Sequence, residues 1–204
     1  MQAWKMVDAT HGDALVAGSI KIGTTIGYAQ QEDFRGDKLD SRAQFHMRVG
    51  MGSIREHARI MEMYFGSKNV GLMANVTVNE ASSPHYALCL SRPGCRYGEQ
   101  AGKTKRIFRI SDVRRLAFLL VRENPDRLSS FDIRPVRYAM REFDAFDPKI
   151  SHASPFIKRP EFSAEQEIRI IWMPFAPIRE PYFISPPSAA IASLISEVRK
   201  GDLE

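Results

Sequence analysis

The chain has 204 residues, enough for one domain with a substantial core, and we expect a single domain over residues 1–204. Its composition, 44% hydrophobic and 26% charged, is typical of a soluble globular protein and excludes an intrinsically disordered one. A net charge of +5 makes the protein moderately basic, and no apolar run approaches the roughly 18 residues that span a bilayer, so no association with a membrane is expected.

The N-terminal part of the chain predicts one helix and two strands. Its first segment, MQAWKMVDATHGD, lacks the apolar core of a signal peptide, so we expect a cytoplasmic protein. A short amphipathic helix is predicted between Thr10 and Gly18 and ends at that glycine. Alternating apolar residues predict strands at 19–25 (SIKIGTT) and 43–50 (AQFHMRVG). The following segment, SIREHARIMEM, fits either a helix or a broken strand.

Apart from residues 162–174, which are considered below, the rest of the chain predicts three strands and two helices. Strands are expected at 85–92 (HYALCLSR), at 105–110 (KRIFRI) and in FDIRPVRYAMREF, where Pro135 indicates an edge or a bulge. The clearest helix is SDVRRLAFLLVREN, which Ser111 can cap. Its i, i+3, i+4, i+7 stripe consists of Val113, Leu116, Ala117 and Leu120. A last helix follows ISPPSAA, with one face formed by Ile191, Leu194, Ile195 and Val198.

This order of elements indicates a fold class. Strands dominate the middle of the chain, and helices are interspersed without a regular βαβ alternation. The pattern favours an α+β fold, in which helices flank a mixed or antiparallel sheet, over a doubly wound parallel sheet. Gly-rich dinucleotide and P-loop fingerprints are absent, so a nucleotide would have to bind by another route.

Basic residues cluster in GKTKRIFRISDVRR, residues 102–115. A basic face favours polyanions, which makes Lys103, Lys105, Arg106 and Arg109 candidate nucleic-acid-binding residues. The competing interpretation is a solvated face that keeps the protein soluble. No helix-turn-helix, zinc-finger or RNP-like signature accompanies the cluster.

The two cysteines, Cys89 and Cys95, are too few for a disulfide scaffold. No second Cys or His pair lies near them in the sequence, so no metal site is predicted. We expect Cys89 to be buried in a strand and Cys95 to lie in a loop.

The stretch FSAEQEIRIIWMP, residues 162–174, places two carboxylates at the entrance to an apolar run. In a helix, Glu165 and Arg169 would form an i, i+4 ion pair worth only a few tenths of a kcal/mol. In a strand, Glu165, Glu167 and Arg169 share one face. The opposite face then consists of Ile168, Ile170 and Trp172. The β-branched and aromatic run favours the strand, and such a charged face suggests the lining of a cleft.

The E-x-E pair leading into an apolar strand, EQEIRIIWMP, resembles the last motif of the ADP-ribosyltransferase superfamily. The resemblance implies an ADP-ribosyltransferase-like fold that uses NAD. It also implies that Glu167 is catalytic and stabilises the oxocarbenium-like centre as nicotinamide leaves, while Glu165 orients or deprotonates the acceptor. A preorganised carboxylate suits the positive charge that develops at a ribose carbon, as in glycoside cleavage.

The whole chain also resembles a poorly characterised group of bacterial and phage proteins. The shared elements here read AWKM, GSIKIGTT, RGDKLDS, LCLS and FIKRPEFSAEQEIRI, and the last of these matches the group's late F-x-K…E-x-E-x-R pattern. Carried over from the superfamily, the candidate cofactor-binding residues are Lys5 on AWKM and Ser91 on LCLS, together with Arg169.

These resemblances imply a phage- or toxin-related effector that transfers ADP-ribose to a protein or nucleic-acid acceptor. Two alternatives stay open: a basic nucleic-acid-binding protein that uses the 102–115 cluster, and a non-enzymatic inhibitor that binds a partner.

Overall fold

The computed structural model describes residues 1–30, 42–47, 62, 76–81, 83–93, 105–140, 142–144 and 154–198. Its strands are β1 (Ala3–Asp8), β2 (Lys21–Thr24), β3 (Arg42–Met47), β4 (Val76–Ala81), β5 (Tyr86–Ser91), β6 (Lys105–Ile110), β7 (Leu128–Pro135), β8 (Arg137–Tyr138), β9 (Glu142–Asp144), β10 (Ile157–Lys158), β11 (Glu167–Pro174), β12 (Tyr182–Ile184) and β13 (Ile195–Glu197). The helices are α1 (Ala9–Val16), α2 (Thr25–Gln30), α3 (Val113–Glu123) and α4 (Ala189–Ala192), with a 3₁₀ helix at Pro160–Glu165.

An eight-stranded antiparallel sheet forms the centre of the fold, and it branches at β5. One path runs β12-β2-β5-β1-β6-β13, while β11 pairs with β5 and β7 pairs with β11. Two smaller sheets accompany it: β8 pairs in parallel with β10, and β3 pairs with β4 and with β9. The α+β class with a mostly antiparallel sheet is therefore confirmed.

Helix α3 covers the apolar face of this sheet. The predicted stripe is correct, since Val113, Leu116, Ala117 and Leu120 are all buried in the core. The indole N–H of Trp172 on β11 donates to the carbonyl oxygen of Ala117 at 3.4 Å, which ties the sheet to the helix. None of the helices in the described ranges is both long enough and apolar enough to cross a membrane.

The cap of α3 differs from the prediction. Asp112, not Ser111, is the N-cap residue, and its carboxylate accepts the backbone N–H groups of Arg114 and Arg115 at 3.1 and 3.2 Å. The hydroxyl of Ser111 instead donates to the carbonyl of Leu194 at 3.2 Å. Ser and Asp both cap helices well, so the segments packed around Ser111 and Asp112 decide which of the two caps α3.

The last predicted helix is largely wrong. Only Ala189–Ala192 is helical, and the chain then forms β13, which pairs with β6 so that Ile195 lies opposite Ile110. The apolar face expected for one helix is thus divided between α4 and a strand. The edge of β6 that β1 does not occupy offers backbone hydrogen bonds to residues 195–197. This strand pairing outweighs the helical spacing of the apolar residues.

The other elements largely follow the sequence. Helix α1 is followed by Gly18 in a left-handed conformation with φ 80°, as the predicted stop requires. Strand β7 pairs only with β11 among the described strands, and Pro135 is its last residue, which agrees with the predicted edge position. The segment SIREHARIMEM lies outside the described residues except for Glu62.

Candidate functional site

The two glutamates of the E-x-E pair lie on different elements. Glu165 ends the 3₁₀ helix and β11 begins at Glu167, so the prediction that one strand carries both is wrong. Between them Gln166 adopts a left-handed backbone with φ 43° and ψ 48°. The two glutamates lie on different elements because Pro160 suits the first turn of a helix that continues to Glu165. The left-handed Gln166 then turns the chain before the β-branched strand begins.

From Glu167 onward, β11 separates polar from apolar side chains as predicted. The side chains that enter the core are Ile168, Ile170 and Trp172. The other side, which we call the polar face, carries Glu167 opposite Ser91 and Arg169 opposite Cys89 in the ladder with β5. Directly opposed residues in an antiparallel ladder point the same way, so these four side chains share that face.

Four charged side chains form what we call the charge cluster: Lys158, Glu165, Glu167 and Arg169. Arg169 Nε donates to Glu167 Oε1 at 2.5 Å, and Lys158 Nζ lies 3.2 Å from Glu167 Oε2 and 2.6 Å from Glu165 Oε2. Arg169, Glu167 and Lys158 are 1%, 4% and 4% exposed, whereas 30% of the Glu165 side chain is exposed. The lysine therefore bridges a buried and a partly exposed carboxylate.

Short elements hold this cluster in place. Because β10 pairs with β8, Lys158 lies beside Tyr138, whose hydroxyl oxygen accepts the backbone N–H of Glu167 at 2.8 Å. Arg169 Nη1 donates to the carbonyl of Pro155 at 2.6 Å. A buried charge is tolerated only when it is paired and hydrogen-bonded, and these contacts meet that condition.

The surroundings of the two glutamates push their pKa values apart. Burial opposes the ionisation of Glu167, but the charges of Arg169 and Lys158 outweigh it and lower its pKa to about 2. Burial raises the pKa of Glu165, and attraction to Lys158 offsets this only in part. Glu167 is therefore a permanent anion at neutral pH, whereas Glu165 is the carboxyl better suited to exchange a proton.

Sequence reasoning missed Lys158 and Tyr138. Lys158 lies inside FIKRPEFSAEQEIRI, so its place in the F-x-K pattern was the signal, although the pattern assigned it no role. No local signal marks Tyr138, because its contact with Glu167 depends on a pairing between β8 and β10 that the sequence does not reveal.

A cleft opens where the two strands on one edge of β5 separate. Strand β2 pairs with β5 at Tyr86 and Ala87, β1 pairs with it at Ser91, and β11 occupies the other edge. Residues of β1, β2, β12, α1 and α2 line a cleft of about 750 Å³, which is within the usual range for small-molecule sites. The polar groups on its wall include Lys5, His11, Lys21, Thr24, Tyr28 and Tyr182.

The two residues that the resemblance assigns to the first strands lie differently with respect to this cleft. Lys5 lines it, and its Nζ donates to the carbonyl of Cys89 at 2.9 Å. Ser91 is 1% exposed and lies between Glu167 on one side and Trp4 on the other. Among the described residues, neither Ser91 nor any member of the charge cluster lines the cleft. Lys5 is thus at the cleft, whereas Ser91, Glu167 and Arg169 lie together on the polar face.

The basic cluster of residues 102–115 is partly neutralised. Lys105 forms an ion pair with Asp8, and Arg106 binds both Asp13 and Glu197 at 2.7 Å. Arg109 is exposed, and Lys103 lies outside the described residues. Two of the four candidate cations therefore already have acidic partners, and a role in nucleic-acid binding stays a prediction.

Cys89 lies on β5 with a free thiol, so the predicted strand is confirmed, but the residue is half-buried and not fully buried as expected. Cys95 lies outside the described residues. Burial and the negative charge of Glu167 raise the pKa of the Cys89 thiol to about 12, so the thiol keeps its proton. Within the described part of the chain, no three His, Cys, Asp or Glu side chains are grouped so that they could hold a metal ion.

Comparison with known proteins leaves the site to be interpreted from its own chemistry. No protein-family model matches the chain, and neither a curated protein nor a solved structure matches it.

Proposed function

We propose that this protein is an NAD-dependent enzyme with an ADP-ribosyltransferase-like fold, a phage- or toxin-related effector that transfers ADP-ribose to a protein or nucleic-acid acceptor. One observation carries the proposal. Lys5, Ser91 and Glu167, which the resemblance selects from distant parts of the chain, lie on the three neighbouring strands β1, β5 and β11. Glu167 and Ser91 are directly opposed and share the polar face. Lys5 follows Trp4, which is opposite Ser91, so the lysine projects from the other side of β1, where its Nζ donates to the carbonyl of Cys89.

The charge cluster supports a division of labour between the two glutamates. NAD, when bound, supplies an ADP-ribose group whose bond to nicotinamide breaks with the electron pair leaving on nicotinamide. Glu167, held as an anion, stabilises the positive charge that develops at the ribose. Glu165, partly exposed and with a raised pKa, takes the proton from the acceptor nucleophile that forms the new bond.

The residues around the cleft fit a dinucleotide in size and charge. The volume of about 750 Å³ suits a ligand of this class, and Lys5 and Lys21 are among the residues that line it. Asp8 also lines it, but its carboxylate is paired with Lys105. Lys21 Nζ lies 4.0 Å from the ring centroid of Tyr182, which also lines the cleft. Cationic groups beside an aromatic ring suit a phosphate next to a base or a nicotinamide.

This role requires two changes when the dinucleotide binds. The ribose must reach Glu167, which is 4% exposed and does not line the cleft, and Glu167 must exchange one of its two cations for that ribose. Lys158 is the weaker partner, because its Nζ is 3.2 Å from Glu167 but only 2.6 Å from Glu165. If Lys158 stays with Glu165, one oxygen of Glu167 becomes available while Arg169 still holds the other. Glu165 therefore remains paired with Lys158 during the exchange, so the buried lysine keeps an anionic partner.

The test measures nicotinamide release from NAD and transfer of labelled ADP-ribose to cell extract. Glu167→Gln should lower the rate of nicotinamide release on the order of 100-fold, because it removes the charge that stabilises the transition state but keeps the shape. Glu165→Gln should retain nicotinamide release to water yet lose most of the transfer to acceptor.

Glu161→Gln is the matched control, since Glu161 lies in the same 3₁₀ helix but forms an exposed ion pair with Arg159. Its rates should equal those of the unmodified protein. Circular dichroism at the assay temperature checks that each variant is folded. Equal nicotinamide release by the unmodified protein and the folded Glu167→Gln variant would refute the proposed function, and so would no release at all from either.

A further inference from the structure

Tyr182 and Lys21, which line the cleft, lie on the polar face of the sheet. Tyr182 on β12 is opposite Gly23 on β2, and Gly23 is opposite Ala87 on β5. Directly opposed residues of an antiparallel ladder point the same way, and so do residues two apart on a strand. Ala87 therefore shares its face with Ser91, and Lys21, two residues before Gly23, lies on that face as well.

The width of the sheet separates Tyr182 from Glu167. Their strands follow in the order β12, β2, β5 and β11, and neighbouring strands lie about 4.8 Å apart, so the two residues are about 14 Å apart across the sheet. Glu167 is opposite Ser91, four residues along β5 from the position level with Tyr182, which adds to the separation. A dinucleotide has two ribose–phosphate units between its rings, so it can contact both residues only with a different end at each.

The Tyr182 end of the cleft carries an exposed aromatic ring under an ammonium group. The ring belongs to a residue that is 42% exposed, and Lys21 Nζ lies 4.0 Å from its centroid. Ile184, which is 61% exposed and opposite Lys21, extends the apolar surface on the same face.

This combination distinguishes the two ends of the dinucleotide. Adenine is neutral and stacks on an aromatic ring, and the phosphate attached to its ribose is attracted by an ammonium group. The nicotinamide ring of oxidised NAD instead carries a positive charge, which the ammonium of Lys21 repels. Charge and distance therefore both favour adenine beside Tyr182.

We propose that Tyr182 and Lys21 form the adenosine-phosphate subsite of the cleft, so that the nicotinamide ribose extends across β5 toward Glu167. Tyr182 stacks on the adenine, and Lys21 binds the phosphate next to it. This orientation rests on the proposed function, whereas the affinity of the subsite for an adenine nucleotide requires no reaction.

Isothermal titration calorimetry with AMP, adenosine and nicotinamide mononucleotide tests the subsite without a reaction. Tyr182→Ala should weaken the binding of AMP and adenosine about tenfold or more, because stacking on the ring is lost, and Tyr182→Phe should keep their affinity. Lys21→Gln should weaken AMP but leave adenosine little changed, since only AMP carries a phosphate. Nicotinamide mononucleotide should bind Tyr182→Ala as tightly as it binds the unmodified protein.

Phe175→Ala is the matched control, because Phe175 is an aromatic residue that is 71% exposed and does not line the cleft. It should bind all three probes as the unmodified protein does. Circular dichroism checks that each variant is folded.

The kinetics of nicotinamide release test the orientation. Tyr182→Ala should raise KM for NAD about tenfold and leave kcat within about twofold, because the lost contact is the same in the ground state and the transition state. A folded Tyr182→Ala variant that lost kcat at an unchanged KM would place Tyr182 at the reacting end and overturn the orientation.

The outcomes separate this inference from the proposed function. If AMP does not bind the unmodified protein at millimolar concentration, or binds Tyr182→Ala equally well, the subsite is overturned. Weaker binding of nicotinamide mononucleotide but not of AMP to Tyr182→Ala would reverse the orientation. If AMP binds through Tyr182 but the unmodified protein releases no nicotinamide, the proposed function fails and the subsite stands. Nicotinamide release that depends on Glu167 while Tyr182→Ala leaves KM unchanged would keep the proposed function and overturn this inference.

Discussion

Replacing Glu167 by Gln should change not only the stability of the protein but also how that stability depends on pH. Glu167 is buried between Arg169 and Lys158, with one carboxylate oxygen bound to each. Removing one partner of a buried ion pair typically costs about 3–5 kcal/mol, because the remaining charges are left uncompensated. We therefore expect the variant to be less stable at pH 7 by that order of magnitude.

The pH dependence follows from the pKa of Glu167, which is about 2 in the folded protein against an ordinary value of 4.5. A depressed carboxyl pKa contributes stability above the unfolded value, and this contribution is lost as pH falls toward the folded one. The difference corresponds to roughly 3 kcal/mol at neutral pH, of which about 2 kcal/mol is lost on going from pH 7 to about pH 3.

Urea unfolding followed by circular dichroism from pH 7 to about pH 3 measures this for both proteins. Every other titrating group is common to both, so the difference in unfolding free energy isolates Glu167 to a first approximation. The gap should shrink by about 2 kcal/mol at the acidic end. If the difference in unfolding free energy between the two proteins stays constant with pH, Glu167 does not ionise within a buried ion pair. That result would also refute the division of roles between the two glutamates.

Three further measurements test the fold and the burial of Cys89. Gly18→Ala should destabilise the protein by more than about 2 kcal/mol in urea unfolding, because φ is 80° and an added Cβ would collide with the carbonyl oxygen of Ser188. Asp112→Ala should cost about 1 kcal/mol in the same assay through loss of the α3 cap, and no loss would contradict the capping contact. In a Cys95→Ser background, the thiol of Cys89 should react with a disulfide reagent roughly a thousandfold more slowly than in urea, since burial raises its pKa to about 12.

The parts of the fold that the sequence predicts are those that local patterning determines. The buried stripe of α3 repeats every third or fourth residue, and the alternation from Ile168 to Trp172 needs only the period of a strand. Gly18 ends α1 because few other residues adopt its backbone conformation. Each of these signals is contained within a dozen neighbouring residues.

The parts that it does not predict depend on distant pairing. Ile195 follows a helical period, yet it joins β13 because the edge of β6 lies within reach. Lys158 enters the charge cluster because β10 pairs with β8, and neither two-residue strand has a pattern that could reveal this. The cleft itself results from β1 and β2 sharing one edge of β5, a relation among three segments spread over the first ninety residues or so of the chain.

The turn at Gln166 connects the error in the E-x-E prediction to the chemistry of the site. On a continuous strand both carboxylates would point to the same buried face, and like charges in one site raise the pKa of at least one of them while both lose their hydration. The left-handed residue instead leaves Glu167 on the polar face and moves Glu165 to a position where 30% of its side chain meets solvent. Lys158 still contacts both, so the two groups remain coupled although their surroundings differ. One carboxylate can then stay ionised while the other exchanges a proton, which a symmetrical pair on a single strand would not allow.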